Sequence, residues 1–402
     1  MNGLPKVVLC DDEEETADEW KRDLEALPGV GSRFEIAVVE KPQFNDDIRV
    51  LEERRTKLRP PDSEQPVDGG TIFDEAAILI VDYDLYEYNP AQLFSGDSVA
   101  YLARSYSTCG YIVGVNQDRI PNPFDAKLTA HQQLPTDVSI GGSQVANPGL
   151  WCKDREHWVP FRPWYWPLLP ERAAALPVKA KEMEGRLEEP LAEVLGLDEA
   201  EILTMPRDVV APLDVPERID LPQVPIREWV LRAQMGLRSG DVLLDDSQIA
   251  RVAAARLGKW LDRVLLPGQD YLVDAPHLVE RRPGLLSAPS DQEPSWQAVV
   301  ALGDEVAGLD AERIAAHRFG DGWLSRPVWR WGSIASDQDL DAAADAPRVD
   351  PPIVFAEDQS RFIEASGAQR FRSAVDSPFK GRWLGVPDNG VTYLPAVRLS
   401  SG

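Results

Sequence analysis

The sequence predicts an α/β protein: a doubly wound parallel sheet in the first third, then a mainly α-helical, tryptophan-rich remainder. Three observations carry this. Short apolar runs alternate with amphipathic helical stretches between residues 6 and 116. Three of those runs end in Asp or Asn. Eleven of the 12 tryptophans lie after residue 150, which marks a change of composition.

The elements follow in order. Val7-Val8-Leu9-Cys10 reads as a strand buried on both faces and ends at Asp11-Asp12-Glu13. Ala17, Trp20, Leu24 and Leu27 fall on one helical face, and Leu27-Pro28-Gly29 closes that helix. Residues 34–39 read as a second strand. Residues 46–58 read as a second helix, with Ile48 and Leu51 inward. The polar stretch 59–70 reads as a loop. Residues 76–81 form the most apolar strand and end at Asp82-Tyr83-Asp84. Residues 95–107 read as a third helix, and 111–115 as a strand ending at Asn116-Gln117. This β-α-β-α-β-α-β order argues for a parallel sheet with helices on both faces.

At about 100–200 residues per domain, 402 residues predict two or three domains. The boundaries expected are 1–145 for the sheet domain, 146–225 for a Trp/Pro-rich connector and helix, and 226–402 for a mainly helical domain. The 42 basic and 67 acidic residues leave a net charge of −25. Such a chain is poorly suited to nucleic acid, whose phosphates must be neutralised by Lys and Arg, or to an anionic membrane surface. No apolar run approaches the ~18–20 residues that span a bilayer. The first residues lack a basic stretch followed by an apolar one, so no signal peptide is expected. Three cysteines, Cys10, Cys109 and Cys152, make no disulfide framework and suggest a reducing cytoplasm.

In parallel sheets the chemistry sits beyond the carboxyl ends of the strands. There this chain places Asp11 and Asp12, Asp82 and Asp84, and Asn116. Clustered carboxylates raise one another's pKa unless a cation lies among them, and oxygen ligands with retained water suit Mg²⁺. The plainer reading is that an Asp after a strand is a turn residue or helix cap.

Several stretches resemble the receiver domains of response regulators, which are flavodoxin-like. "KVVLCDDEE" at 6–14 resembles their first strand and acidic pair. "AILIVDYDL" at 77–85 resembles the strand that ends in the phospho-accepting aspartate. "SGDSVAYLARSY" at 95–106 resembles the glycine and helix that follow, and "GYIVGVN" at 110–116 the fourth strand. The resemblance spans roughly the first 120–140 residues. It implies that Asp82 accepts a phosphoryl group from a partner, a histidine kinase. It also implies that Asp11, Asp12 and Asp82, with the carbonyl of Asp84, hold Mg²⁺, and that Asn116 occupies the switch position. The family places a lysine after the fifth strand. Here the nearest lysine is Lys127, and the fifth-strand region, 136–140, has none. Two further readings of the same residues stay open. One is a phosphorylation-independent pseudo-receiver that serves as a scaffold in a multiprotein assembly. The other is a phosphatase resembling the haloacid dehalogenases, with Asp82 as nucleophile and Asp84 as general acid/base.

Residues 147–170 crowd Trp151, Trp158, Phe161, Trp164, Tyr165 and Trp166 among prolines and read as an ordered loop pinned into a core, with an aromatic interface as the alternative. A charged helix is expected at 180–197, an extended proline-rich connector at 205–225, and a clear helix at 245–265. Further helices are expected across 285–318, an Arg–Trp cluster at 319–332, and short strands or a docked extended segment at 379–399. His131, His157, His277 and His317 have no metal-binding spacing, and no GxSxG elbow, Walker A loop or GxGxxG fingerprint occurs.

Overall fold

Val7, Val8, Leu9 and Cys10 have no solvent exposure, and this apolar run forms β1 (Lys6–Cys10). In the computed structural model the described residues are 3–57, 70–85, 88, 95–116, 135–158, 162, 166–213, 218–235, 244–285, 314–320, 322–324, 326–337, 353–371 and 381–385. The chain divides into two compact units, Met1–Cys152 with Leu168–Trp260, and Lys153–Pro167 with Leu261–Gly402.

In the first unit β1 lies between β2 (Glu35–Val38) and β3 (Ala76–Asp82), followed by β4 (Tyr111–Asn116) and β5 (Val138–Gly141). The order is β2-β1-β3-β4-β5 and every pairing is parallel. This order is compatible with a flavodoxin-like fold. The central strands are buried along nearly their whole length, which explains their unbroken apolar sequence.

Helices complete the core. Helix α1 (Glu14–Ala26) buries Ala17, Trp20 and Leu24. Helix α2 (Lys41–Lys57) buries Phe44, Ile48 and Leu51. It starts five residues before the expected 46, because Pro42 is tolerated in a first turn and Phe44 has a core to enter. Ser95 caps α3 (Gly96–Tyr106) by accepting from the Ser98 N–H, and Val99, Leu102, Ala103 and Tyr106 face inward. Arg54 of α2 reaches both carboxylate oxygens of Asp74 at 2.9 Å and the Tyr106 carbonyl at 2.8 Å. The start of β5 is tied in by buried Asp137, which accepts the Ile112 N–H at 2.7 Å and pairs with Arg104 of α3.

The expected helix at 180–197 is two helices, α4 (Leu169–Glu184) and the shorter Leu191–Leu195. Helix α4 packs along α5 (Asp246–Trp260) and against β3 and β4. The described residues of the proline-rich stretch 205–225 are not an extended connector. They hold the turns Arg207–Val210, Ala211–Leu213 and Arg218–Gln223, with Val209, Val210, Leu213 and Leu221 buried. Pro206 precedes the first of these turns, where a missing N–H costs nothing.

The second unit has an antiparallel pair, β6 (Leu272–Asp274) with β7 (Val328–Arg330). It also has a four-stranded sheet, ordered β10-β11-β8-β9, from β8 (Ile353–Ala356), β9 (Arg361–Glu364), β10 (Gln369–Phe371) and β11 (Arg382–Leu384). Val273, Leu278, Ile314, Trp329 and Ile334 share one apolar cluster. Outside the five-stranded sheet the described chain is mostly helical. Trp151, Trp158 and Trp166 are buried, while Phe161, Trp164 and Tyr165 lie outside the described residues. So do the expected loop 59–69, Lys127, His131, residues 286–313 of the expected helices, and all but 381–385 of the expected strands at 379–399. Among the described residues no helix is long and apolar enough to cross a membrane.

Candidate functional site

The register of β1 on β3 pairs Cys10 with Val81. The next residues, Asp11 and Asp82, therefore emerge side by side at the carboxyl ends of neighbouring strands, which run about 4.8 Å apart. Pairing of Asp82 with Val115 sets Asn116 one step further along β4. The sheet thus brings Asp11, Asp82 and Asn116 to one edge, as their positions after apolar runs imply.

Both aspartates are buried, at 2% exposure for Asp11 and 3% for Asp82. Each uses one oxygen in a local turn. Asp11 Oδ1 accepts the Glu13 N–H at 2.8 Å, and Asp82 Oδ2 accepts the Asp84 N–H at 2.9 Å. The other oxygens, Asp11 Oδ2 and Asp82 Oδ1, are buried with no hydrogen-bond partner. A buried carboxylate oxygen left this way is costly. Burial accordingly pushes the Asp11 carboxyl up to about 7, against the Glu13 N–H, with the Asp82 and Asp12 charges adding to the rise. Burial likewise raises Asp82 to about 6, against the N–H groups of Asp84 and Tyr83, with the charges of Asp12 and Asp84 adding to it.

Asp12 is half-buried and raises both neighbours through its charge. Asp84 is exposed, and its backbone forms an isolated bridge with Ser95. Asn116 is half-buried at the last position of β4. Among the described residues no three His, Cys, Asp or Glu side chains form a ready-made metal cage. The two orphaned oxygens nevertheless fit a hard cation that keeps most of its water. Mg²⁺ is commonly held in this way, by one or two carboxylates.

The backbone behind Asp82 is tightly constrained. The Tyr83 N–H donates to the Val115 carbonyl, and the Gly96 N–H donates to the Tyr83 carbonyl, both at 2.9 Å. A Cβ at Gly96 would lie 2.1 Å from the Asp82 carbonyl oxygen, so only glycine fits at the start of α3.

Sequence reasoning missed Tyr88. It is buried, and its hydroxyl donates to the Val39 carbonyl at 2.8 Å. Its ring stacks on Phe44 with centroids 4.2 Å apart. Burial, with the nearby charges of Asp11 and Asp12 adding, pushes the phenol up, so it stays neutral. Leu85 and Tyr88, apolar and aromatic residues between Asp84 and the helix at 95–107, a stretch that was assigned no element, were the available signal. Cys10 is held as a neutral thiol, chiefly by its complete burial. After β5, residues 142–152 contain no lysine.

No protein-family model matches the chain, and neither a curated protein nor a solved structure matches it.

Proposed function

We propose that this is a cytoplasmic signalling protein whose sheet domain is a divergent receiver, with Asp82 as phosphoacceptor. The observation that carries the reading is the pair of buried carboxylates on adjacent strands, each with one oxygen unpartnered. At neutral pH an Asp82 carboxyl near 6 is mostly ionised and able to attack phosphorus. In that step an Asp82 oxygen bonds to phosphorus, the bond to the donor breaks, and the leaving group departs with the donor, a histidine kinase. Asp11, Asp12 and Asp82, with the Asp84 carbonyl, would hold Mg²⁺, which offsets the crowded negative charge. Asn116 offers an amide donor beside the new group. The Asp84–Ser95 bridge closes the loop through which a change at Asp82 reaches α3 and a partner protein. A second reading, a phosphorylation-independent scaffold, draws on the lack of lysine at 136–140 and on Asn116 at the switch position.

The test is thermal melting with Mg²⁺ and beryllofluoride, an acyl-phosphate mimic, in wild type and Asp82→Asn. Binding to the native state raises its stability by RT ln(1 + [L]/Kd). The reading expects a Mg²⁺-dependent rise that Asp82→Asn abolishes. No rise, together with no Mg²⁺ effect, overturns it in favour of the scaffold. Steady release of phosphate from phosphomonoesters would instead mark Asp82 and Asp84 as a phosphatase pair.

A further inference from the structure

The second unit contains a hydrogen-bonded chain of a different chemistry. His317 Nδ1 lies 2.7 Å from Ser333 Oγ, and His317 Nε2 lies 2.8 Å from Asp337 Oδ2. His317 is buried at 8%, Asp337 is half-buried, and Ser333 is exposed. Ser333 thus sits at the surface, with the largely buried imidazole of His317 behind it.

The fold holds these three groups firmly. Ser333 and Asp337 are four residues apart, at the start and the C-cap of the helix Trp331–Ser336. Residues at that spacing share a helix face about 6 Å apart, which matches the span of an imidazole with a hydrogen bond at each nitrogen. His317 ends the turn Ala315–His317. Ile314, ahead of that turn, and Ile334, beside Ser333, are both buried in one apolar cluster. Their burial fixes the two segments against each other. Among the described residues, a Cβ at Gly332, next to Ser333, would meet nothing within 4 Å.

The polarity of the chain is also right. The Asp337 carboxylate accepts only, so it selects the tautomer with hydrogen on Nε2. That leaves the Nδ1 lone pair facing the Ser333 hydroxyl, where it can take the proton. Such relays are recognised by geometry and role rather than by sequence order.

We propose that Ser333, His317 and Asp337 form a nucleophile–base–carboxylate relay that hydrolyses carboxylic esters. Ser333 Oγ attacks the acyl carbon and its proton passes to His317 Nδ1. The carbon–oxygen bond to the alcohol breaks, and the alcohol leaves with that proton. Water then attacks the acyl-serine, giving up its proton through His317. This releases the acid and restores Ser333. The activity is independent of Asp82.

The experiment uses the full chain with p-nitrophenyl acetate and, separately, a fluorophosphonate probe mapped by mass spectrometry. The expected result is nitrophenolate release and a phosphonyl adduct on Ser333. Ser333→Ala and His317→Gln should each lower turnover by about 10²–10⁴-fold. Ser333→Ala alters an exposed residue, so an unchanged melting temperature in that variant separates lost chemistry from lost folding. Asp337→Asn should lower turnover while keeping a hydrogen bond to the ring. Absence of an adduct on Ser333, or turnover in Ser333→Ala equal to wild type, overturns the proposal and leaves the three residues as a structural clamp.

Discussion

Asp11 and Asp82 repeat one local device on neighbouring strands: each carboxylate accepts the amide two residues ahead and buries its second oxygen unpaired. The arrangement stores an electrostatic cost at the sheet edge. That cost is what a bound cation would relieve.

The pair sets a pH dependence. The carboxyls stand near 7 for Asp11 and near 6 for Asp82, above the ordinary 3.8. Between about pH 4 and 7 the folded state therefore holds protons that the unfolded chain has released. Their contribution to stability is greatest below about pH 4 and falls as pH rises through 7. Asp82→Asn should be more stable than wild type at pH 8, by about 1–3 kcal/mol, and the gap should close toward pH 4. Melting curves of both proteins across that range, without added Mg²⁺, check this. A gap that widens on acidification contradicts the assignment.

Gly96→Ala should be strongly destabilising. The new Cβ would sit 2.1 Å from the Asp82 carbonyl oxygen, and backbone rather than a side chain must yield. Overpacking of this kind costs about 1–3 kcal/mol or more. Chemical denaturation measures the loss. Residual folded protein should also show a weakened response to beryllofluoride, because Asp82 is displaced.

Tyr88→Phe should cost about 1–3 kcal/mol. The change preserves the stack on Phe44 but removes the hydroxyl that donates to the Val39 carbonyl. Urea denaturation of the variant gives the value, and an unchanged midpoint would count against the hydrogen bond as drawn.

In the second unit Arg382 meets buried Glu357 through two bonds, of 2.6 Å and 2.7 Å. Arg382→Met should cost about 3–5 kcal/mol by stranding the carboxylate. Adding Glu357→Gln should recover part of that loss. A double-mutant cycle in denaturant reads out the recovery, and simple additivity would argue against a coupled pair.

The sequence by itself determined the central strands and the candidate site. β1, β3 and β4 are buried on both faces, so each shows as an unbroken apolar run, and the residues that end those runs are Asp11, Asp82 and Asn116. Helix α1 was legible for the same reason, since Ala17, Trp20 and Leu24 repeat at helical spacing. Periodicity reports that a face is buried but not what covers it. Only the tertiary structure decided that α4 and α5 belong to the same compact unit as the sheet, and that Pro206, Pro212 and Pro222 begin and punctuate short helical turns. It alone placed the Tyr88 hydroxyl on the Val39 carbonyl, across 49 positions of chain, and His317 against Ser333 and Asp337, 16 and 20 positions away. Such contacts depend on how separate elements close on a shared apolar core, and no local pattern of residues encodes that closure.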